Sequence, residues 1–257
     1  MPDADQLSAR QLKMLGLLEE SGGASVRELS VQCHVSEMTI RRELDRFEHH
    51  GFVRRHHGGA VVTRRSTFER PLAMRRVERR EEKRRIAARA VERVHSRSSV
   101  ALGNGSTTYE LARLLGGFTD LTVLTPNIPI ALALAEFPSV QTLVPGVTMR
   151  SGEASMIGPE AIDAIEQFYF DLAIIGAGGV EPSIGVTEYN SDEATVIRTM
   201  VRRSAECIVL ADSSKLGRIA PVVVSELERV NGMITTTEAD PSIVADLRAA
   251  GVEVELT

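Results

Sequence analysis

The segment Gly103-Asn104-Gly105-Ser106-Thr107-Thr108 sets three hydroxyls among small residues, directly after the apolar Val100-Ala101-Leu102 and at the start of a helical pattern. At a strand-to-helix junction the first backbone N–H groups have no partner inside the helix, so together with the hydroxyls they can cradle a phosphate. The spacing matches neither a P-loop, which also needs a lysine, nor a GxGxxG fingerprint. Plain capping by Ser106 is the competing role. Three more polar stretches follow apolar runs in the same way: Thr125-Pro126-Asn127, Gly176-Ala177-Gly178-Gly179 and Asp212-Ser213-Ser214-Lys215, the last supplying an ammonium. Asn104, Gly105, Ser106, Thr107, Thr108, Asn127, Gly178, Gly179, Glu188 and Lys215 are the candidate contacts for an anionic ligand.

A second set is cationic. On a helix from Ser36 to about His50, Ile40, Leu44 and Phe47 share one face, while Met38, Arg42, Asp45 and His49 lie opposite, flanked by Thr39, Arg41 and Arg46. Arginine pairs bidentately with guanine in the major groove, and threonine reaches a base or the thymine methyl, so such a face suits sequence recognition in DNA. Arg54, Arg55, His56 and His57 follow on a predicted hairpin and suit phosphate oxygens, which position a protein without specifying sequence. A three-helix bundle with an incidentally basic surface is the alternative.

The elements that must hold these groups are legible from caps and periodicity. Leu7, Met14, Leu15 and Leu18 mark a first helix ended by Ser21-Gly22-Gly23, and Ser25 caps a second with Val26, Leu29 and Cys33 on one face. Ser36 caps the third and Gly51 stops it. Phe52 to His57 and Ala60 to Thr63 flank Gly58-Gly59 as the hairpin. Residues 1–63 are therefore expected to form a winged helix-turn-helix domain, 64–85 a charged linker interrupted by Pro71, and 86–257 an α/β domain. In that last part, apolar runs at 100–102, 121–124, 140–144, 171–175, 207–210, 233–234 and 252–254 alternate with helical patterns near 106–116, 127–136, 156–167, 191–203 and 239–250. Repeated β and α units imply a doubly wound, mainly parallel sheet, whose ligands bind beyond the carboxyl ends of its strands.

Charge divides the chain at the same place. The net charge of −5 hides 18 Lys+Arg against 13 Asp+Glu in residues 1–85, a net +5, and 12 against 22 in the remainder, a net −10. A basic first third on an acidic body fits a nucleic-acid-binding arm attached to a sensor. Cys33 and Cys207 are far apart, without CxxC spacing, and form neither a disulfide framework nor a zinc cluster. The six histidines give no metal spacing, no apolar run reaches membrane-spanning length, and no signal peptide is evident. A cytoplasmic protein without a cofactor is expected.

The run Val35-Ser36-Glu37-Met38-Thr39-Ile40-Arg41-Arg42-Glu43-Leu44, with Glu48, Gly51, Arg54 and His57-Gly58-Gly59-Ala60, closely resembles the DNA-binding signature of the DeoR family of bacterial repressors. The resemblance implies operator binding by Thr39, Arg41 and Arg42, with Ser36 and the wing on phosphates. About residues 70–236 also resemble that family's sensor domain, which is similar in fold to ribose-5-phosphate isomerase and glucosamine-6-phosphate deaminase. The residues that carry this resemblance are Gly105 to Thr108, Asn127, Gly146, Gly158, Gly176 to Gly179, Gly185-Val186-Thr187, Glu193-Ala194, Met200 and Asp212 to Gly217. A phosphorylated sugar effector is implied. Gly103 stands where the family usually has Asp, and Ile197 where it usually has Lys. An isomerase needs a carboxylate base beside the sugar, and the Gly176 to Gly179 loop has none before Glu181 and Glu188. No catalytic residue is assigned, and an active isomerase fused to a DNA-binding domain is the alternative function. One helix-turn-helix reads only a half-site, so a homodimer or tetramer is expected.

Overall fold

The computed structural model describes residues 8–49, 53–56, 58–62, 69 and 72–257. Leu7, His50, Gly51, Phe52, His57, Thr63, Pro71 and most of the stretch 64–71 lie outside these. The chain divides into two compact units, residues 1–78 and 79–257.

In the first unit, α1 (Ala9–Ser21) precedes the short strand β1 (Gly23–Ser25), followed by α2 (Val26–Cys33), α3 (Glu37–His49), β2 (Val53–His56), β3 (Gly59–Val62) and α4 (Leu72–Arg75). The start of α2 is fastened reciprocally: Ser25 Oγ accepts from Glu28 N at 3.1 Å, and Ser25 N donates to Glu28 Oε2 at 2.8 Å. His34 ends it in the left-handed region, at φ 55°. Met14, Leu15, Leu18, Leu29, Ile40, Leu44, Phe47, Val53 and Met74 close one core. The hairpin carries an unexpected third strand, for β3 pairs with β1 as well as β2. A Cβ on Gly59 would lie 2.5 Å from the Ala24 carbonyl oxygen, so only glycine permits that approach.

The second unit begins with α5 (Arg80–Ala90), then β4 (Ser99–Leu102), α6 (Ser106–Ala112), β5 (Leu121–Leu124), α7 (Ile128–Leu134), β6 (Val140–Leu143), β7 (Thr148–Arg150), β8 (Ser155–Ile157), α8 (Pro159–Glu166) and β9 (Phe170–Ile175). It continues with β10 (Gly179–Glu181), β11 (Gly185–Glu188), α9 (Ser191–Arg202), β12 (Ser204–Leu210), β13 (Val222–Ser225), β14 (Gly232–Thr235), α10 (Pro241–Ala249) and β15 (Glu253–Leu256). Seven strands form a wholly parallel sheet in the order β15-β14-β12-β9-β4-β5-β6.

Both faces of this sheet are covered, which is why its strands read as unbroken apolar runs. Val100, Leu102, Leu172, Ile174, Ile208 and Leu210 pack with residues of α5, α6 and α7. The alternate positions Ala101, Ala173, Ile175, Cys207 and Val209 pack with α8, α9 and α10. A second sheet, β10-β11-β13, is antiparallel, and β7 and β8 form a hairpin. The helix expected from 156 starts at Pro159, because Gly158 turns the chain at φ +92° and Ser155–Ile157 pair with β7. Burial pushes the Cys207 thiol up to about 12, so it stays protonated at neutral pH.

The boundary falls after Glu78 rather than after residue 85. The charged residues 80–85 are the first turns of α5, whose Ile86, Ala87 and Ala90 enter the core. Lys83 is buried and pairs with the buried Asp212 (Nζ–Oδ2 3.9 Å), and Glu82 accepts from Ser213 N, Ser213 Oγ and Thr236 Oγ1 at 3.2, 2.9 and 3.0 Å. Desolvation pushes the Asp212 carboxyl up, but the charges of Lys215 and Lys83 and the bonds from Ser214 outweigh it, leaving its pKa below the ordinary 3.8. Removing one partner of a buried pair leaves an uncompensated charge, so Lys83→Met is expected to cost about 3–5 kcal/mol in urea unfolding. A depressed folded pKa gives stability that is complete above the unfolded carboxyl's titration and is lost as pH falls from 3.8 toward the folded value. Lys83→Met therefore moves the acid-side loss to higher pH; an unchanged acid limb rejects the pairing.

Candidate functional site

Strand order reverses at one place. From β4 the chain moves outward to β5 and β6, then returns to the other side of β4 to lay down β9, β12, β14 and β15. Successive loops therefore leave β4 and β9 toward opposite faces, and the carboxyl ends of these two strands border a crevice. Both sequence-predicted glycine loops lie at that point. Gly103 N donates to Ile174 O at 2.8 Å, and a Cβ on Gly176 would sit 3.0 Å from Asn104 O, so the two loops touch. Gly217 N donates to Val180 O at 2.8 Å, which brings the segment after Lys215 against β10.

Gly105 caps α6 at φ +137°, a conformation that favours glycine, and no side chain caps the helix. Thr108 Oγ1 donates to Gly105 O at 3.0 Å and is committed to the turn. Ser106 and Thr107 are nearly buried, and neither hydroxyl has a hydrogen-bond partner among the described residues. The first-turn N–H groups of α6 and two hydroxyls without partners among the described residues thus lie together at the start of this helix.

The other candidates divide by what their side chains already do. Asn127 is buried with its amide used at both ends: Nδ2 donates to Glu153 O at 3.1 Å, and Oδ1 accepts from Ile130 N at 3.2 Å. It also bridges to Ser155 and so anchors β8, a positioning role. A Cβ on Gly179 would lie 2.3 Å from Arg218 O, so this glycine serves close packing. One on Gly178 would meet Glu188 Oε2 at 3.1 Å, which places Glu188 at the same loop; that carboxylate accepts from Tyr189 N at 3.2 Å. Lys215 is half-buried beside Asp212.

Three residues outside the predicted contacts form a bonded cluster with Asn104. Glu193, buried in the first turn of α9, accepts from Asn104 Nδ2 at 3.1 Å, from Ser155 Oγ and from Arg150. They come from β7, β8 and α9, so no local spacing announces them. Ile197, one turn beyond Glu193, places Cδ1 3.1 Å from where a Cβ on Gly103 would stand, so the two positions that depart from the resembling family are neighbours.

In the first unit, Ser36 Oγ accepts from Thr39 N at 3.3 Å and lies 3.0 Å from Thr39 Oγ1, so it caps α3. Met38 is 70% exposed. Arg41 pairs with Glu37 at 3.3 Å across one turn, whereas Arg42 is exposed and has no ion pair among the described residues. Arg46, Arg54 and His56 are also exposed. The guanidinium of Arg55 pairs with Asp45, and its backbone N–H donates to Glu48 Oε1 at 2.8 Å, fastening β2 to α3. Glu43, on the inner side of α3, is buried and pairs with Arg10 of α1 at 2.9 Å.

Comparison with known proteins matches residues 10–66 to a DeoR-like helix-turn-helix domain and residues 78–237 to the DeoR C-terminal sensor domain. The chain is 34% identical over 245 residues to the HTH-type transcriptional regulator GlpR of Haloferax volcanii, covering 95% of this chain and 96% of that one. It is 28% identical over 243 residues to the glycerol-3-phosphate regulon repressor of Escherichia coli K12, with 95% and 96% covered. Among solved structures, ribose 5-phosphate isomerase A of Methanocaldococcus jannaschii aligns with a TM-score of 0.41 at 19% identity, over 53% of this chain and 54% of that one.

Arg42 on α3 and Arg54 on β2 differ in position, and different losses are expected from their removal. Arg42→Ala is expected to lower specific operator affinity by about 1–3 kcal/mol and relax base preference, while Arg54→Ala weakens all duplexes alike and reduces the salt slope by about 1. Gel-shift titrations at several salt concentrations separate the two; equal loss on specific and random DNA by both variants rejects the assignment.

Proposed function

The chain belongs to the DeoR family of helix-turn-helix transcriptional regulators, and from that premise we propose a repressor of carbohydrate-metabolism genes whose operator binding is set by a phosphorylated sugar. The proposal assigns Thr39, Arg41, Arg42 and Arg46, around the exposed Met38, to the major groove, and Arg54, His56 and His57 to backbone phosphates. The effector's phosphate is assigned to the 105–108 loop with Lys215 assisting. The observation that carries this is the pair of unused hydroxyls, Ser106 and Thr107, beside the uncapped start of α6 at the reversal between β4 and β9.

A binding role is preferred to an isomerase. Glu193, the buried carboxylate bonded to Asn104, is also held by Arg150 and Ser155. A base so engaged is poorly placed to take a proton from carbon. Glu188 is likewise bonded to Tyr189 N. The named functions of the relatives, a regulator and a glycerol-3-phosphate regulon repressor, support the same choice. No helix among the described residues is long and apolar enough to cross a membrane, and a cytoplasmic location is proposed. So is a dimer or tetramer on repeated half-sites spaced by about 10 bp or a multiple.

Screening sugar phosphates by thermal shift, then titrating the best by calorimetry, tests the effector site. Charge-assisted hydrogen bonds contribute roughly 1.5–3 kcal/mol each, so Thr107→Ala is expected to weaken the ligand about tenfold or more. Unchanged affinity in both Thr107→Ala and Lys215→Ala places the ligand elsewhere. Sedimentation showing only monomer, free and on DNA, rejects the oligomer.

A further inference from the structure

The outward face of α3 carries one apolar side chain among charged ones. Ile40, Leu44 and Phe47 are buried, whereas Met38, in the first turn, is 70% exposed. Single apolar side chains are common on protein surfaces, and position is what sets this one apart. With successive residues about 100° apart around the helix, Met38 lies on one face with Arg42 and Asp45, opposite Ile40. Residues near the start of a recognition helix are the ones that meet base edges.

Several polar groups around Met38 are already engaged. Thr39 Oγ1 lies 3.0 Å from the Ser36 hydroxyl, Arg41 is paired with Glu37 at 3.3 Å, and Asp45 is paired with Arg55. Arg42 is exposed and has no ion pair among the described residues. Chemistry then limits what Met38 can read. Its thioether donates no hydrogen bond and accepts only weakly, so it distinguishes bases by apolar contact. The thymine methyl is the apolar group that base edges display in the major groove. An unbranched side chain with three rotatable bonds adapts to reach it. From 38 to 42 the helix rises about 6 Å, at 1.5 Å per residue, which is about two base-pair steps of 3.4 Å.

We propose that Met38 is a specificity-determining residue that packs on the 5-methyl group of a thymine, within about two base pairs of the guanine that Arg42 contacts. The inference rests on α3 lying in the major groove, and the test separates the two.

An operator is selected from random duplexes with full-length protein and titrated by competition gel shift at fixed salt. Each thymine of one half-site is replaced in turn by uracil, which loses only the methyl, and each guanine by 7-deazaguanine, which loses the N7 acceptor. The wild type is expected to lose about fourfold in affinity at one thymine, the effect of one methyl group leaving apolar contact. It is expected to lose about fivefold or more at a guanine within about two base pairs of that thymine. Met38→Ala is expected to abolish the uracil effect and keep the 7-deazaguanine effect, Arg42→Ala to do the reverse, and Met38→Leu to keep both. If no thymine of the half-site is methyl-sensitive, or the sensitivity persists in Met38→Ala, the methyl contact is overturned, while α3 stays in the groove if Arg42→Ala loses the guanine effect. If neither variant changes the response to any base replacement, α3 does not read the operator, and its assignment to the major groove falls together with the methyl contact.

Discussion

A parallel sheet that grows outward from its first strand in both directions cannot close over that strand's carboxyl end. The loop after β4 must turn to one face and the loop after β9 to the other, leaving backbone N–H groups and small polar side chains facing a gap. What lies at this gap follows from that constraint. Gly105 turns the chain into α6 at φ +137° and, having no side chain, leaves the first-turn N–H groups without a side-chain cap. Glu193 reaches Asn104 because α9 packs on the opposite face of the sheet from α6. The seven-stranded core thus holds in place the loop to which the effector's phosphate is assigned.

The α5 helix ties that site to the point where the two units join in sequence. Its first turns hold the loop after β12 through Lys83 with Asp212 and Glu82 with Ser213, and Arg80 reaches Glu110 of α6 at 3.4 Å. Groups that would meet an effector and groups that begin the second unit therefore share one network of buried or half-buried polar bonds. In the first unit, Arg55 pairs with Asp45 and the buried Glu43 with Arg10, and Arg42, Arg46 and Arg54 are exposed.

Much of this was legible from residue order because the determining forces are local. The caps Ser25 and Ser36, the core stripe Ile40, Leu44 and Phe47, and the apolar runs of the parallel sheet each announce themselves within a few residues. The rest depends on distant partners. β1 is three residues of Gly-Ala-Ser that read as a turn until β3 pairs with them. The sheet β10-β11-β13 joins segments more than thirty residues apart. Lys83 looks like linker charge until Asp212 lies beside it, and Arg150, Ser155 and Glu193 carry no spacing signal. Asn127 was identifiable as polar at a strand end, but only its two bonds reveal that it positions β8.

A ligand alters DNA affinity only by binding the free and operator-bound states unequally, and the coupling is reciprocal. The most direct measurement is calorimetric titration of full-length protein with its tightest-binding sugar phosphate, alone and saturated with an operator selected from random duplexes, at one fixed salt concentration. The account predicts two different dissociation constants, with a ratio equal to the factor by which the same ligand changes operator affinity. Equal constants in the two titrations would contradict it.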